Sequence, residues 1–279
     1  MKNYLTQIII VIIFIGCSDK PDLQFKPKKV TITGDIINLT KHNRIVTIKL
    51  NHIVYGRLTE STQADSTGHF KLEFTIDYPQ TMLLKYGNLA FLYCEPGDSV
   101  YVKLDGDIYA NNLYDMPNGQ YFVREFGGDN AITNNFISIF MRNFPGKKDP
   151  NKHAYAIANY SPNEYKEYLT KRDSSYQVYY NEFIKSYQVT DDFKAYAKDF
   201  MCYKSLNDLM LYPIYPRPNR TKPILPADYY SFIDKYDMND SQILSMQHEN
   251  FLMQLSEHFG VRIEEMQSEI SKAWKQKDT

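Results

Sequence analysis

The sequence predicts an α+β protein: an N-terminal antiparallel β-sandwich or open barrel followed by a helical bundle region. Between Val30 and Leu104 apolar residues recur at every second place, the period of a half-buried strand. Beyond FGGDN (residues 126–130) they recur at every third or fourth place, the period of a helix face. Turn signals at DSTG (65–68), YGN (86–88) and EPGD (95–98) cut the first half into short strands.

The strand candidates are VTITGDI (30–36), VTIKL (46–50), FKLEFTI (70–76), TMLLKY (81–86), LAFLYC (89–94) and SVYVKL (99–104). FKLEFTI is the clearest, with Phe70, Leu72, Phe74 and Ile76 alternating with charged or hydroxyl residues. EPGDS (95–99) is a tight turn, because Pro fixes φ at its second place and Gly accepts positive φ at the third. That chemistry accounts for Asp98 and Ser99 without a ligand.

GGDN (127–130) reads as a sheet-to-helix turn in which Asp129 caps a helix presenting Ile132, Phe136, Ile139, Phe140 and Asn143 on one face. The loop NFPGKKDP (143–150) ends that helix. SPNE (161–164) is then a capping box with Pro at the first helical position. The helix it opens carries a stripe of Tyr165, Leu169, Tyr176, Tyr180, Phe183 and Tyr187. Another begins near Thr190 and Asp191, with Phe193, Ala197, Phe200, Lys204, Asn207 and Leu211 along one side. PIYPRPNRTKPILP (213–226) has five prolines and reads as a stiff surface connector. Shorter helices follow at 227–237, 241–258 and 262–276.

The N-terminus carries a different signal. MKNYLTQ (1–7) places Lys2 before the apolar run IIIVIIFI (8–15), far short of the ~20 residues that span a bilayer. Gly16, Cys17 and a polar, Pro-containing segment follow. This resembles the lipobox of bacterial lipoproteins, with Phe14 where Leu is commoner. The resemblance implies a signal peptide over 1–17 ending in a lipidated Cys17, whose several acyl chains meet the requirement for stable anchoring. A tether over 18–29, a β-domain over 30–128 and a helical domain over 129–279 complete the division. It also implies the envelope of a Gram-negative bacterium. Ser18 after the cysteine favours the outer membrane over the inner, facing either the periplasm or the surface.

A net charge of -1 with both signs interspersed argues against nucleic acid as a partner. Tyr is in excess, 24 against a single Trp, and its helical spacing assigns much of it to packing seams. Cys94 and Cys202 belong to no C-x-x-C and read as two separate buried thiols. His42, His52 and His69 read as exposed hairpin residues rather than a metal site, and no cofactor motif is present. No nucleophile, base and orienter stand at recognisable spacing, so no catalytic residue is assigned. Tyrosines with Arg217 and Arg220 suggest a cationic aromatic groove, against the plainer reading of a rigid connector. DST (65–67) resembles the acceptor triplet of a periplasmic O-glycosylation system, with Ser66 as acceptor; the same pattern at DSV (98–100) reads as buried.

The order of TITGDI (31–36), DSTGHFKL (65–72), FLYCEPGDSV (91–100), FGGDNA (126–131) and Tyr-rich helices resembles the N-terminal half of TlpA-like thioredoxin-family thiol-disulfide oxidoreductases. In that family a β-domain of unknown function and a helical region precede a thioredoxin domain bearing W-C-x-x-C. This chain contains no such motif, so no redox residue carries over. The resemblance implies a stand-alone or truncated front half. Three readings follow: a non-catalytic lipoprotein binding an unidentified protein or small-molecule ligand, an extracytoplasmic enzyme with a dispersed site, or a split redox protein. The first is favoured.

Overall fold

The computed structural model describes residues 27–39, 44–52, 56–107, 122–145, 150–217, 222–235, 245, 247, 248 and 250–260. Cys17, His42, Arg220 and the helix expected at 262–276 lie outside them. The chain is α+β; among the described residues, eight strands are followed by helices. The strands are β1 (Lys28–Ile37), β2 (Ile45–His52), β3 (Gly56–Gln63), β4 (His69–Ile76), β5 (Gln80–Tyr86), β6 (Asn88–Cys94), β7 (Ser99–Asp105) and β8 (Val123–Gly128). The helices are α1 (Ala131–Arg142), α2 (Pro150–Asn159), α3 (Pro162–Ser186) and α4 (Asp191–Leu211), then a 3-10 helix at Tyr229–Lys235 and a helical segment at 250–260.

Two four-stranded sheets form, in the orders β4-β1-β7-β8 and β3-β2-β5-β6. Alternation explains their packing: in β4, Phe70, Leu72, Phe74 and Ile76 are buried and the residues between them exposed. One apolar core joins both sheets, with Val30, Ile32 and Val102 from one meeting Ile48, Leu84 and Leu92 from the other. Each such side chain contributes roughly 1.5–3 kcal/mol by leaving water. Among the described residues the strand pairs are antiparallel except β1 with β7, where Ile32 lies beside Val100. A parallel pair needs a long crossover, and β2 to β6 supply it.

Two strands escape the periodicity. β3 (GRLTESTQ) is an edge strand, so its polar side chains face water without cost, and β8 follows a bulge opposite Lys103 and Leu104 that breaks its alternation. The sheet edges are handled differently at the two sides of the sandwich. β3 and β4 approach each other, whereas β6 and β8 are both covered by α1. A helix over two edges removes a site for unwanted strand pairing.

The start of α1 differs from the expected cap. Its N-cap is Asn130, in the left-handed conformation (φ 55) and without a side-chain cap bond. Asp129 instead accepts the Ser99 N–H at 2.8 Å, tying β7 to the helix entry. Gly128 has φ +72, and a Cβ there would lie 2.2 Å from the Ser99 carbonyl oxygen, so the turn requires glycine. The buried face of α1 is Asn134, Ile137, Ser138, Phe140 and Met141, and Ile132 is exposed. The expected face was rotated because α1 packs on two strand edges as well as on helices. α2 was not expected at all, since NKHAYAIAN has too few apolar residues to show a stripe.

α3 forms as its sequence requires. Ser161 and Glu164 make the capping box, Pro162 opens the helix, and Tyr165, Leu169, Tyr176, Tyr180 and Phe183 are buried. Its length serves two cores. Tyr176, Tyr180 and Phe183 join Phe140, Phe193 and Phe200, while Tyr165 and Leu169 join Ile157, Tyr212 and Tyr229. Thr190 caps α4 by accepting the Phe193 N–H and also bonds Thr133 at 2.9 Å, docking α4 on α1.

Candidate functional site

Between its two apolar halves, α3 carries Arg172 where the stripe passes from Leu169 to Tyr176. An unpaired guanidinium there would be costly, and α4 answers it with Asp208. Both side chains are only 9% exposed. Arg172 also donates to Asp173 Oδ1 at 3.2 and 3.0 Å and to Ser205 Oγ at 3.1 Å. Ser205 in turn donates to Asp173 Oδ2 at 2.6 Å. Lys204 Nζ stands 3.4 Å from Asp208 Oδ2, and His153 Nε2 on α2 stands 3.5 Å from Oδ1. Burial alone would raise the Asp208 carboxyl, but His153, Lys204 and Arg172 together hold it well below the usual carboxylate range.

Above this network lies a cleft of about 800 Å³ between α2 and α3, with Lys204 of α4 at its edge. α3 contributes Glu164, Glu167, Tyr168, Lys171, Arg172 and Ser175, spaced three and four apart and so on one face over three turns. α2 and the turn after it add Lys152, His153 and Tyr160. The Arg172 guanidinium sits 5.1 Å from the ring centre of Tyr176, whose hydroxyl burial pushes up to about 12. His153 Nδ1 and the buried Tyr165 hydroxyl beneath it have no hydrogen-bond partner. The cleft thus combines a rigid charged floor, exposed lysines and tyrosine faces. Such a surface can hold a polar ligand.

The expected site residues fall elsewhere. Ser66 is exposed in the 65–68 turn, where Asp65 accepts the Thr67 N–H at 2.8 Å and its hydroxyl at 2.6 Å. Ser99 is exposed too, contrary to the buried reading of DSV, because it opens β7 on an outward-facing register. Cys94 is buried and free, and burial with Asp98 and Glu95 nearby pushes its thiol well up. Cys202 is free and exposed, a correction to the buried reading: it lies on the outer side of α4, between the buried Phe200 and Tyr203. Partial desolvation and the carboxylates of Asp199 and Asp173 raise its thiol as well.

His52 lies in β2 and His69 in β4, strands of different sheets, and His69 Nδ1 lies 3.1 Å from Asp35. Among the described residues no group of three or more His, Cys, Asp or Glu is placed to hold a metal. Arg217 lies 4.6 Å over the Tyr212 ring and donates to the carbonyls of Tyr212 and Tyr215, clamping the connector to α4; Arg220, the other cation of the expected groove, lies outside the described residues. Asp98 is committed to its turn, accepting from Glu95 N–H and Asn130 Nδ2 at 2.8 and 2.9 Å. Sequence reading missed the cleft. The available signal was Arg172 and Asp208, charged residues on faces otherwise reserved for the core.

No family model matches the chain, and no curated protein matches it. Among solved structures, a candidate cell adhesion protein from Bacteroides ovatus is similar at 13% identity and a TM-score of 0.21, over 37% of this chain and 45% of that one. A likeness of that size carries no argument about fold or function. Among the described residues no helix is long and apolar enough to cross a membrane.

Proposed function

We propose that the chain is a lipid-anchored extracytoplasmic lipoprotein that acts as a non-catalytic binding module, with the α2–α3–α4 cleft as its ligand site. The lipobox-like FIGC segment supports the anchor at Cys17 and the envelope location, outer membrane before inner. The order of β-domain turns and Tyr-rich helices supports kinship with the front half of TlpA-like oxidoreductases.

The observation that carries the binding reading is the fixed floor of the cleft. Asp208, held ionised by its neighbours well below the usual carboxylate range, is a poor proton donor or acceptor near neutral pH, because catalytic groups work best with a pKa close to the operating pH. Arg172 is bound to Asp208, Asp173 and Ser205. These groups shape the surface rather than react on it. Cys94, buried with its thiol pushed up, is equally unsuited to thiol exchange.

A thermal-shift screen of small molecules on the full-length chain in neutral detergent tests this reading. Ser175 is exposed at the cleft, and Ser175→Trp should fill it without disturbing the core. A compound that raises the Tm of the wild type but not of Ser175→Trp is the expected result. Equal shifts in both proteins for every active compound would contradict a site in the cleft.

A further inference from the structure

We infer that the segment 261–276 docks as an amphipathic helix on an apolar patch of the helical half, marked by Ile214, Ile224 and Phe259. The segment lies outside the described residues, and the patch is the surface from which it departs.

Ile224 and Ile214, 94% and 69% exposed, are the two most exposed large apolar side chains among the described residues, and Phe259 is 45% exposed. Apolar side chains scattered singly over a surface need no cover. These three instead gather around one buried cluster, that of Tyr165, Tyr212 and Tyr229. Ile214 precedes Tyr215 and Ile224 precedes Leu225, and both of those neighbours pack against the cluster. Phe259 follows His258, whose ring lies 4.3 Å from that of Tyr230, which packs on the same cluster. Pro223 and Pro226 fix their own φ and restrict Lys222 and Leu225 to extended backbone, so Ile224 is presented on a stiff strip.

The segment supplies the matching face. Phe251 and Leu255 are buried on one side of the helical segment 250–260. The same spacing continues through Phe259, Ile263, Met266, Ile270 and Trp274, every third or fourth residue. A short helix with one such stripe is marginal in water and forms by packing the stripe on a neighbour. Its polar side sets Glu264, Glu265 and Glu269 against Arg262, Lys272 and Lys275, which is not the basic face of a helix lying on a membrane. A Cβ at Gly260 would meet nothing within 4 Å, so the junction has room to turn. Covalent attachment just beyond Phe259 holds the stripe at high effective concentration beside the patch, which favours this segment over a second copy of the chain.

Trp274 is the single tryptophan of the chain, so its fluorescence, excited beyond the absorption of tyrosine, reads this segment alone. In the full-length chain in neutral detergent its emission should be that of a buried indole and independent of protein concentration. Ile214→Asp with Ile224→Asp should shift the emission toward that of free tryptophan and raise acrylamide quenching at least twofold. The control pair Ile132→Asp with Val178→Asp, on α1 and α3, should leave both unchanged. All four side chains are exposed, so unfolding is not expected; should the patch pair melt early, Ile224→Ser must still redden the emission at unchanged Tm. Emission of a solvated indole in the wild type would overturn the docking. Buried emission that the patch pair leaves unchanged would assign the cover to the micelle or to another surface, and overturn it too. Emission that reddens on dilution would assign the cover to a second copy, and equal reddening in both pairs would reduce the effect to general destabilisation; either result overturns the inference.

Discussion

The side-chain amide of Asn134 on α1 is hydrogen-bonded to both backbone groups of Tyr93 on β6: Oδ1 accepts the Tyr93 N–H at 2.7 Å, and Nδ2 donates to the Tyr93 carbonyl at 3.0 Å. Tyr93 lies in an edge strand, and its outward backbone groups would otherwise be buried beneath the helix unpaired. Asn134 takes the place of a further strand. Asn134→Ala should therefore cost about 2–6 kcal/mol, since each of the two orphaned buried groups costs about 1–3 kcal/mol. Urea denaturation measures it; a loss under about 1 kcal/mol would show that the amide does not seal the sandwich to the helices.

Asp208 and Arg172 form the second critical contact. Asp208→Asn should destabilise the protein at pH 7 by about 3–5 kcal/mol, because it leaves a buried guanidinium without its main counter-charge. The pH dependence has a definite sign. The folded-state pKa of Asp208 is depressed, so its contribution is complete above the unfolded carboxylate value of roughly 4 and is lost as pH falls through that value toward the folded one. The stability gap between wild type and Asp208→Asn should thus shrink on acidification below about pH 4. A gap constant from pH 7 to pH 3 would mean that Asp208 is not held ionised by its neighbours.

The two cysteines downstream of Cys17 should separate by access. Cys202 is exposed and should react with a maleimide in the native protein, while Cys94 should react only on unfolding. Counting labelled thiols by mass before and after denaturant checks this. The Cys94→Ala, Cys202→Ala variant should retain ligand binding, and the wild type should reduce insulin no faster than a buffer thiol. Reduction at a thioredoxin's rate, abolished in the variant, would favour the split redox reading.

The proposed modifications are read by mass in the native host. Cys17→Ser should abolish incorporation of labelled palmitate; equal labelling of the variant would remove the lipoprotein reading. Ser66, exposed in a turn with Asp65 ordered beside it, should carry a glycan that Ser66→Ala removes, and an unmodified intact mass would dispose of that idea.

What the sequence revealed follows from which forces act locally. Six strands were legible because one face of each is buried in a common core, and α3 because its capping box and tyrosine stripe lie within one segment. β3 and α2 were not, since edge position and polar composition leave no periodic signal. The cap of α1 was misassigned because Asp129 serves a strand thirty residues upstream, a pairing that local spacing does not encode. The cleft was hidden for the same reason: Arg172 meets Asp208 from another helix, and His153 joins them from a helix the sequence did not announce.

The central claim is that the cleft between α2 and α3 is where this protein binds its ligand. Amide hydrogen exchange of the full-length chain, with and without a saturating compound from the thermal-shift screen, tests it most directly. Protection should concentrate in residues 150–176, at the ends of α2 and α3 that frame the cleft, with the sheets unchanged. Protection confined to the strands or their turns, with 150–176 exchanging as in the free protein, would contradict it.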